Sequence, residues 1–171
     1  MEEVDYCGSA SRVSAIPHTG PALKILAEAG WLNVIITNQS GIGRGYFSEI
    51  DYEAVNEELF RQLGFRTEAA YFCPDTPEKK TRRRKPGTGM IEEASRDLGI
   101  DPAISWFVGD KTSDIACGKA AGCRTILVLT GYGEDHRDSH PDHIVPDAAA
   151  AANLILSNPA QAGAAGGELT R

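Results

Sequence analysis

Residues 34–40, Val-Ile-Ile-Thr-Asn-Gln-Ser, decide the fold prediction together with residues 107–111, Phe-Val-Gly-Asp-Lys. Each stretch is an apolar run that ends in polar residues, with little alternation between apolar and polar side chains. Such runs are typical of parallel strands that helices cover on both faces. In open sheets of that kind, ligands bind beyond the carboxyl ends of the strands. We therefore expect the polar residues at the two run ends to contribute to one ligand site.

The segments around these runs alternate between helical and strand patterns. A first helix is predicted from a cap at Thr19 to a stop at Gly30, followed by a strand over 31–36 and a glycine-rich loop over 40–45. Further helices are predicted over 48–63, 89–98, 112–121 and 148–156, and further strands over 69–73, 104–109 and 124–130. This alternation predicts right-handed βαβ units and an α/β fold, with a mostly parallel sheet flanked by helices. We predict one domain over 1–157 and a disordered Ala/Gly-rich tail over 158–171.

Composition excludes several classes of protein. The chain has 171 residues, a net charge of −7 and a pI near 5.1, whereas general nucleic-acid binders are basic. It contains no apolar run of the ~18 residues that span a bilayer, and its acidic first residues do not resemble a secretory signal. The four cysteines lack any regular spacing and are interpreted as reduced thiols of a cytoplasmic protein.

A basic run precedes a proline in the middle of the chain. Its members are Lys79, Lys80, Arg82, Arg83, Arg84 and Lys85. Most such runs are solvated loops or weak nucleic-acid patches. Here Pro86 fixes the end of the loop and a helix follows, so Arg84 and Lys85 are the members expected at a site. Arginine offers a planar fork and lysine a point charge to a phosphate, while Lys79 and Lys80 are predicted to lie on the surface.

Two carboxylates flank the predicted start of the helix that begins near Thr112. Asp110 follows a buried strand and Asp114 comes four residues later. Paired carboxylate oxygens there suit Mg²⁺, although helix capping by Asp110 and a favourable helix-dipole interaction of Asp114 explain the same pattern. Because a strand end precedes them, we predict metal binding by Asp110, with Asp114 as a second candidate, and expect Lys111 to reach a substrate phosphate.

Histidines and the remaining cysteines are given structural interpretations. His136, His140 and His143 lie within eight residues, but their spacing fits neither a helix face nor a zinc pattern, so a solvated loop is predicted. Cys117 and Cys123 border a helix of small residues and are interpreted as packing residues.

In combination, four segments resemble the haloacid-dehalogenase (HAD) superfamily, in the branch of the heptose 1,7-bisphosphate and histidinol phosphatases. They are Thr-Asn-Gln-Ser-Gly-Ile-Gly-Arg-Gly-Tyr-Phe at 37–47, Tyr-Phe-Cys-Pro at 71–74, Arg-Lys-Pro-Gly at 84–87 and Val-Gly-Asp-Lys-x-x-Asp-Ile at 108–115. The resemblance covers about residues 12–157 and extends to the order and spacing of the segments.

The resemblance implies Mg²⁺-dependent hydrolysis of a phosphomonoester through an aspartyl-phosphate. It implies that Thr37 binds phosphoryl oxygens and that Lys85 stabilises charge on the phosphoryl group. Arg84 and Lys111 would contact substrate and Asp110 would bind Mg²⁺. The residues that follow Thr37 in its motif complete the implied substrate site; they are Asn38, Gln39 and Ser40.

The chain departs from the family pattern in two places. The family's first strand ends in Asp-x-Asp, which carries the nucleophile and the acid–base residue, and no such motif follows an apolar strand here. The resemblance therefore predicts a fold without its first strand, which would lie mid-sheet between the strands of Thr37 and Asp110. Many members also carry a zinc loop; here Cys73 remains, but Asp75, Thr81 and Arg83 stand at the other ligand positions, so no zinc is expected.

Three functions stay open at this point. The first is a monomeric cytoplasmic phosphatase acting on a sugar or related metabolite phosphate, without nucleic-acid or membrane partners. The second is an inactive relative that binds a phosphorylated ligand without turnover, which the missing Asp-x-Asp favours. The third, a phosphatase of nucleic-acid ends, is suggested only by the basic run, and the acidic net charge opposes it.

Overall fold

The computed structural model describes residues 6–79 and 81–158. The helices are α1 (Thr19–Glu28), α2 (Ser40–Gly43), α3 (Glu49–Leu63), α4 (Gly89–Leu98), α5 (Thr112–Ala120) and α6 (Ala148–Leu156). The strands are β1 (Val34–Asn38), β2 (Ala69–Cys73), β3 (Trp106–Gly109), β4 (Arg124–Val128) and β5 (His143–Val145). Short 3-10 helices cover Ala10–Arg12, Pro77–Lys79, Pro102–Ile104 and Gly133–Ser139. None of the helices in these ranges has the length and apolar character needed to cross a membrane.

All strand pairs are parallel, which confirms the predicted α/β class. β1 pairs with β2 from Val34 opposite Ala69 to Asn38 opposite Cys73. In a second group, β4 lies between β3 and β5. Each parallel pair needs a crossover, and the helices supply it. Parallel pairing therefore places the carboxyl ends of each group's strands at one edge, where the predicted site residues follow.

Local sequence signals explain where the longest helix begins and ends. Ser48 accepts a hydrogen bond from the Asp51 amide, and Asp51 in turn accepts one from the Ser48 amide. This capping box satisfies two amide groups that a helix start leaves without partners. Gly64 ends the helix in the left-handed region, at φ 61°. The helix therefore begins one residue after its predicted start and ends at the predicted residue.

The structure differs from several predicted boundaries near the first strand. β1 runs from Val34 to Asn38 rather than over 31–36, because the backbone of Thr37 and Asn38 continues the ladder with β2. The predicted glycine-rich loop contains the short helix α2. The capping role of Thr19 was predicted wrongly: Thr19 is the first helical residue, and His18 occupies the cap position with φ 65°.

The region after β4 is more regular than the loop that the sequence predicts. It contains a 3-10 helix over Gly133–Ser139 and the strand β5, which is only three residues long. A strand of that length is too short to show a recognisable apolar pattern. The tail prediction falls almost entirely on 159–171, which lie outside the described residues.

The main core lies where α1 and α6 pack together against β4. Its buried members are Ala22, Leu26, Ile126, Ala151, Ala152 and Ile155. Because α1 is near the start and α6 near the end of the described chain, this core joins segments that are distant in sequence.

The two strand groups are separated by a gap between β1 and β3, which we call the slot. Within the described residues, β1 pairs only with β2, and β3 pairs only with β4. A cavity of about 480 Å³ lies between β1 and β3 and contacts α4, and a second one of about 290 Å³ reaches α1 and α6. Val108, in the middle of β3, is 39% exposed as a result. The gap lies where the family resemblance places the absent strand.

A carboxylate ties β4 to the loop before β5. Asp142 Oδ2 accepts hydrogen bonds from the backbone amide and the hydroxyl of Thr125, both at 2.7 Å. Thr125 is fully buried. The hydrogen bond from its hydroxyl lowers the pKa of Asp142. This contact therefore stabilises the fold while the carboxylate is ionised.

Replacing Asp142 with Ala is expected to lower the free energy of unfolding by about 1–3 kcal/mol at pH 7, because two buried donors of Thr125 lose their acceptor. Urea unfolding measures the loss. Since the folded-state pKa of Asp142 is lowered, its contribution is complete above the unfolded pKa of about 3.9 and is lost as the pH falls through the folded pKa. The difference between parent and variant should therefore shrink below about pH 4. Asp138→Ala, at an exposed position, is the control. If both variants lose the same free energy of unfolding, the contact between Asp142 and Thr125 does not stabilise the fold.

Candidate active site

A pocket of about 540 Å³ opens at the carboxyl ends of β1 and β3. The predicted site residues that line it are Thr37, Asn38, Gln39, Ser40, Arg84, Asp110 and Lys111. Lys85 and Asp114 line the adjoining upper part of the slot, which also contacts Thr37 and Asp110. Residues from separate parts of the chain thus meet at one rim, as the strand-end argument predicts.

The segment that follows β1 is held in place by its own side chains and by the next loop. Gln39 donates its side-chain amide to Thr37 Oγ1 at 3.2 Å, and its backbone amide donates to Cys73 O at 2.7 Å. Gly41 lies against Phe47, where a Cβ atom would come within 2.2 Å of the ring. These contacts fix the Thr37 hydroxyl and the start of α2 at the wall of the pocket.

Asn38 connects this segment to the basic loop. Its side-chain oxygen accepts the Lys85 amide at 3.0 Å, and its side-chain nitrogen donates to Lys85 O at 3.2 Å. The side chain therefore bonds the peptide groups of Lys85 from both sides. Asn38 was predicted to bind substrate, and the geometry gives it a positioning contact with Lys85 as well.

Lys85 is an enclosed cation of the site, with only 11% of its side chain exposed. Its Nζ lies 2.6 Å from Asp114 Oδ1 and donates to Ile36 O at 2.7 Å. The ammonium group is thus fixed between β1 and the start of α5. A fixed cation in a low-dielectric setting stabilises negative charge more strongly than a mobile surface lysine does.

The two carboxylates have different surroundings. Asp114 is 5% exposed, and its Oδ2 accepts the backbone amides of Asp110 and Lys111 at 3.3 and 3.1 Å. With Oδ1 bonded to Lys85, both of its oxygens already have protein partners. Asp110 is less buried and its Oδ2 accepts the Tyr132 amide at 3.1 Å. This favours Asp110 over Asp114 as a direct metal ligand.

The sequence prediction missed the turn that follows β4. Gly131 approaches Asp110 so closely that a Cβ atom would come within 2.3 Å of Oδ2, and its φ of 68° also favours glycine. The Tyr132 ring lies 3.6 Å from Lys111 Nζ, in a cation–π contact. Tyr132 therefore orients Lys111 at the pocket, and Gly131 allows the carboxylate of Asp110 to reach its position.

A network around Asp75, which we call the clasp, closes the basic loop. Asp75 Oδ2 accepts the Thr81 hydroxyl at 2.7 Å and the Cys73 thiol at 3.5 Å, and Lys79 Nζ lies 3.3 Å from Oδ1. Arg84 Nη1 donates to the Asp75 carbonyl at 2.6 Å. The hydrogen bond from Thr81 lowers the pKa of Asp75. The clasp occupies the positions to which the family resemblance assigns a zinc loop, and it orients Arg84 at the pocket.

Replacing Asp75 with Ala is expected to open the basic loop, because Thr81 and Lys79 lose their shared partner. If the free energy of opening the loop falls by ~1 kcal/mol, the population of the open form rises about fivefold. Trypsin cleavage within 79–85 should accelerate by about that factor under limiting protease. Glu78→Ala, which removes an acid with a 69% exposed side chain from the same loop, is the matched control. Equal cleavage of the two variants would show that the clasp does not hold the loop.

Arg83, His136 and His143 do not line the pocket. Arg83 pairs with Glu93 at 2.8 Å, and His143 contacts the Trp106 ring at 5.7 Å between centroids. His136 Nδ1 lies 3.1 Å from Thr112 Oγ1. All four cysteines are free and buried, and burial raises the pKa of both Cys117 and Cys123 to about 11. High thiol pKa values agree with packing roles.

The side chains at the pocket suit the way in which proteins commonly bind magnesium. Within residues 6–79 and 81–158, no three His, Cys, Asp or Glu side chains are grouped as metal ligands. Mg²⁺ does not require such a group, since it is commonly held by one or two carboxylates, waters and a substrate phosphate. Asp110 lies at the pocket edge with two cations that attract phosphate, Arg84 and Lys111, and it fits that mode of binding.

Comparisons with known proteins agree with the fold and the site. Residues 82–151 match the family model described as HAD-hydrolase-like. A D-glycero-D-manno-heptose-1,7-bisphosphate 7-phosphatase from Chlorobaculum tepidum is 36% identical over 174 residues, covering 90% of this chain and 87% of the relative. The corresponding beta-anomer 7-phosphatase from Haemophilus ducreyi is 43% identical over 127 residues, covering 68% and 70%.

The crystal structure of D,D-heptose 1,7-bisphosphate phosphatase from B. bronchiseptica, complexed with magnesium and phosphate, has a similar fold. It matches with a TM-score of 0.86 and 30% identity, covering 92% of each chain. The chain therefore belongs to the HAD superfamily, in the phosphatase group that these relatives represent.

Proposed function

We propose that this protein is a Mg²⁺-dependent phosphomonoester hydrolase that acts on a sugar phosphate such as heptose 1,7-bisphosphate. The observation that carries the proposal is the convergence of Thr37, Arg84, Lys85, Asp110 and Lys111 on one rim. With Lys85 neutralised by Asp114, two cations and one carboxylate remain, a balance suited to a phosphate and a divalent cation together. The names of the relatives support the substrate class.

Each residue of the rim has a proposed role that follows from its chemistry. The Thr37 hydroxyl would bind phosphoryl oxygens, while Asn38, Gln39 and Ser40 shape the same wall. Lys85, held by Asp114 and Ile36 O, would stabilise charge on the phosphoryl group. Arg84 and Lys111 would contact substrate from the two sides of the pocket. Asp110 would hold Mg²⁺, which supplies charge neutralisation to the phosphate when bound.

An aspartyl-phosphate route also needs a carboxylate nucleophile. The printed 171 residues contain no Asp-x-Asp, so the described rim supplies phosphate binding and not the attacking group. A second candidate function is the binding of a phosphorylated ligand without turnover. The free, buried thiols support a cytoplasmic location for either function, and monomer remains the predicted oligomeric state.

Phosphate release from heptose 1,7-bisphosphate with Mg²⁺ tests the proposal. The assay compares the 171-residue chain, a version extended ahead of Met1 by an apolar strand ending in Asp-x-Asp, and the same extension with Asn at both aspartates. We expect hydrolysis by the Asp-x-Asp version at least 100-fold above the Asn version, since covalent catalysis depends on that carboxylate. If the Asp-x-Asp version is inert on a panel of sugar phosphates, the enzyme function is wrong.

Calorimetric titration with inorganic phosphate and Mg²⁺ distinguishes the second function. Binding by the 171-residue chain without hydrolysis by any version supports a ligand-binding protein. Lys24→Ala, an exposed lysine of α1, serves as the control for non-specific charge effects, and Arg84→Ala should weaken phosphate binding by about tenfold or more. Equal phosphate affinities of these two variants would show that Arg84 does not belong to the phosphate site.

A further inference from the structure

One stripe of α3 lines the candidate active-site pocket and includes two polar residues. Its members are Tyr52, Val55, Asn56 and Leu59, and their spacing of three and four residues places them on one face of the helix. Val55 packs with Leu59 in a small apolar cluster, whereas Tyr52 and Asn56 bring a hydroxyl and an amide to the same wall. The pocket therefore has polar groups beyond those of the phosphate rim.

The Tyr52 hydroxyl is buried at this wall. Only 3% of the residue is exposed, and within residues 6–79 and 81–158 its Oη forms no hydrogen bond. Burial raises the pKa of the Tyr52 phenol, and the side chain of Asn56, one turn further along α3, opposes that shift. A buried polar group without a partner is uncommon and calls for an explanation. Because this one lines a pocket, a bound ligand can supply the partner.

The ring of Tyr52 is fixed on the face of the sheet that carries Thr37. Its centroid lies 4.7 Å from that of the Phe72 ring. Phe72 stands opposite Thr37 in the parallel pairing of β1 and β2, and paired residues of neighbouring strands project to the same face. Tyr52 does not line the cavities between β1 and β3. Its hydroxyl therefore lies above the β1–β2 pair, on the side where Thr37 would hold a phosphate.

These two groups suit a hydroxyl on the organic part of a phosphorylated ligand. A phenol donates one hydrogen bond and accepts others, and a side-chain amide does both. We propose that Tyr52 and Asn56 form a subsite for a ligand hydroxyl, which selects phosphorylated sugars and polyols over phosphate esters that lack hydroxyls. This subsite rests on the proposed function, because it requires the phosphate to be bound in the same pocket at Thr37 and Arg84.

Two esters of equal charge and similar shape test the preference. Mannose 6-phosphate carries hydroxyls on a six-membered ring, and cyclohexylmethyl phosphate carries none. Calorimetric titration of the 171-residue chain with Mg²⁺ present should show about tenfold or more tighter binding of mannose 6-phosphate, because the analogue leaves buried polar groups unpaired. Equal affinities of the two esters, with inorganic phosphate still bound, would overturn the subsite alone. Absence of phosphate binding would overturn the phosphate site and the subsite together.

Variants of the two tyrosines test the location. Tyr52→Phe removes only the hydroxyl and should lower the affinity for mannose 6-phosphate about five- to tenfold more than the affinity for inorganic phosphate, and Asn56→Ala should act in the same direction. Tyr71→Phe is the matched control, because that hydroxyl donates to Asp97 at 3.1 Å and Tyr71 does not line the pocket. If the two Tyr→Phe variants change the preference equally, or neither changes it, the subsite is wrong.

Thermal unfolding without ligand separates a binding role from a structural one. Tyr52→Phe should keep or raise the Tm, because it removes a buried polar group that has no partner within the described residues. A fall of about 3 °C or more, the size expected for one lost hydrogen bond in a chain of this length, would show that the hydroxyl has a structural partner and would overturn the subsite. This measurement uses no phosphate ester, so its outcome is separate from that of the phosphatase assay.

Discussion

Replacing Lys85 with Ala is expected to lower the free energy of unfolding by about 3–5 kcal/mol, because Asp114 then becomes a buried charge without its counterion. The pair is enclosed, with 11% of the Lys85 side chain and 7% of the Asp114 side chain exposed, and its atoms lie 2.6 Å apart. The variant also removes a hydrogen bond to Ile36 O. Urea denaturation at pH 7 measures the change.

The control is a lysine whose pair is exposed. Lys24 lies 4.0 Å from Glu28, and both side chains are more than 60% exposed. Lys24→Ala should therefore change stability by less than about 1 kcal/mol. The double change Lys85→Met with Asp114→Asn removes both charges and keeps an acceptor for the amides of Asp110 and Lys111, so it should recover part of the loss. A Lys85→Ala effect as small as that of the control would show that the pair is solvated.

Replacing Ile126 with Ala is expected to lower the free energy of unfolding by about 2–5 kcal/mol. Ile126 is fully buried in β4, between β3 and β5, and belongs to the core beneath α1 and α6. The change removes packed side-chain atoms and leaves a cavity that the strand pairing prevents from closing. Thermal and urea unfolding measure the loss, which is large beside a total stability of ~5–15 kcal/mol.

Ile50→Ala provides the matched control because it makes the same chemical change at a position that is 76% exposed. Ile50→Ala should change the free energy of unfolding by no more than about 0.5 kcal/mol. If the two isoleucine variants lose equal stability, β4 is not the centre of the core.

The sequence predicts elements best where a boundary has a backbone cause. β2 and α4 occupy their predicted ranges, and Gly99 ends α4 in the left-handed region as glycine at that position suggests. β1 was displaced because Trp31 and Leu32 extend the apolar run, while polar Thr37 and Asn38 still pair with β2. Pairing depends on backbone groups, which side-chain polarity does not report.

The site residues also divide into some that the sequence predicted and others that it missed. Thr37, Arg84 and Asp110 could be chosen because each follows a strand end or a proline-fixed loop, and they line the pocket. Tyr132 was missed as a contributor because its contacts with Asp110 and Lys111 join segments distant in sequence. Asp75 was considered only as a residue at a zinc-ligand position, and its contacts with Cys73, Thr81 and Arg84 depend on how the loop folds. Tyr132 could have been found by applying the strand-end rule to β4, since a Gly-Tyr-Gly turn follows it.

The divided sheet was predicted only from family resemblance, through the absent Asp-x-Asp. Nothing in the periodicity of the chain indicates it, because β1 and β3, the strands that border the gap, both carry the apolar pattern of a strand covered on both faces. The exposure of Val108, at 39%, reflects the mismatch between that pattern and its actual surroundings.

The edges of β1 and β3 that face the slot have no strand partner within the described residues, and this affects behaviour in concentrated solution. Unprotected strand edges act as templates on which further chains can add, which is how many proteins begin to aggregate. The net charge of −7 opposes self-association by mutual repulsion, and salt weakens that protection. Purified protein should therefore precipitate more readily as ionic strength rises.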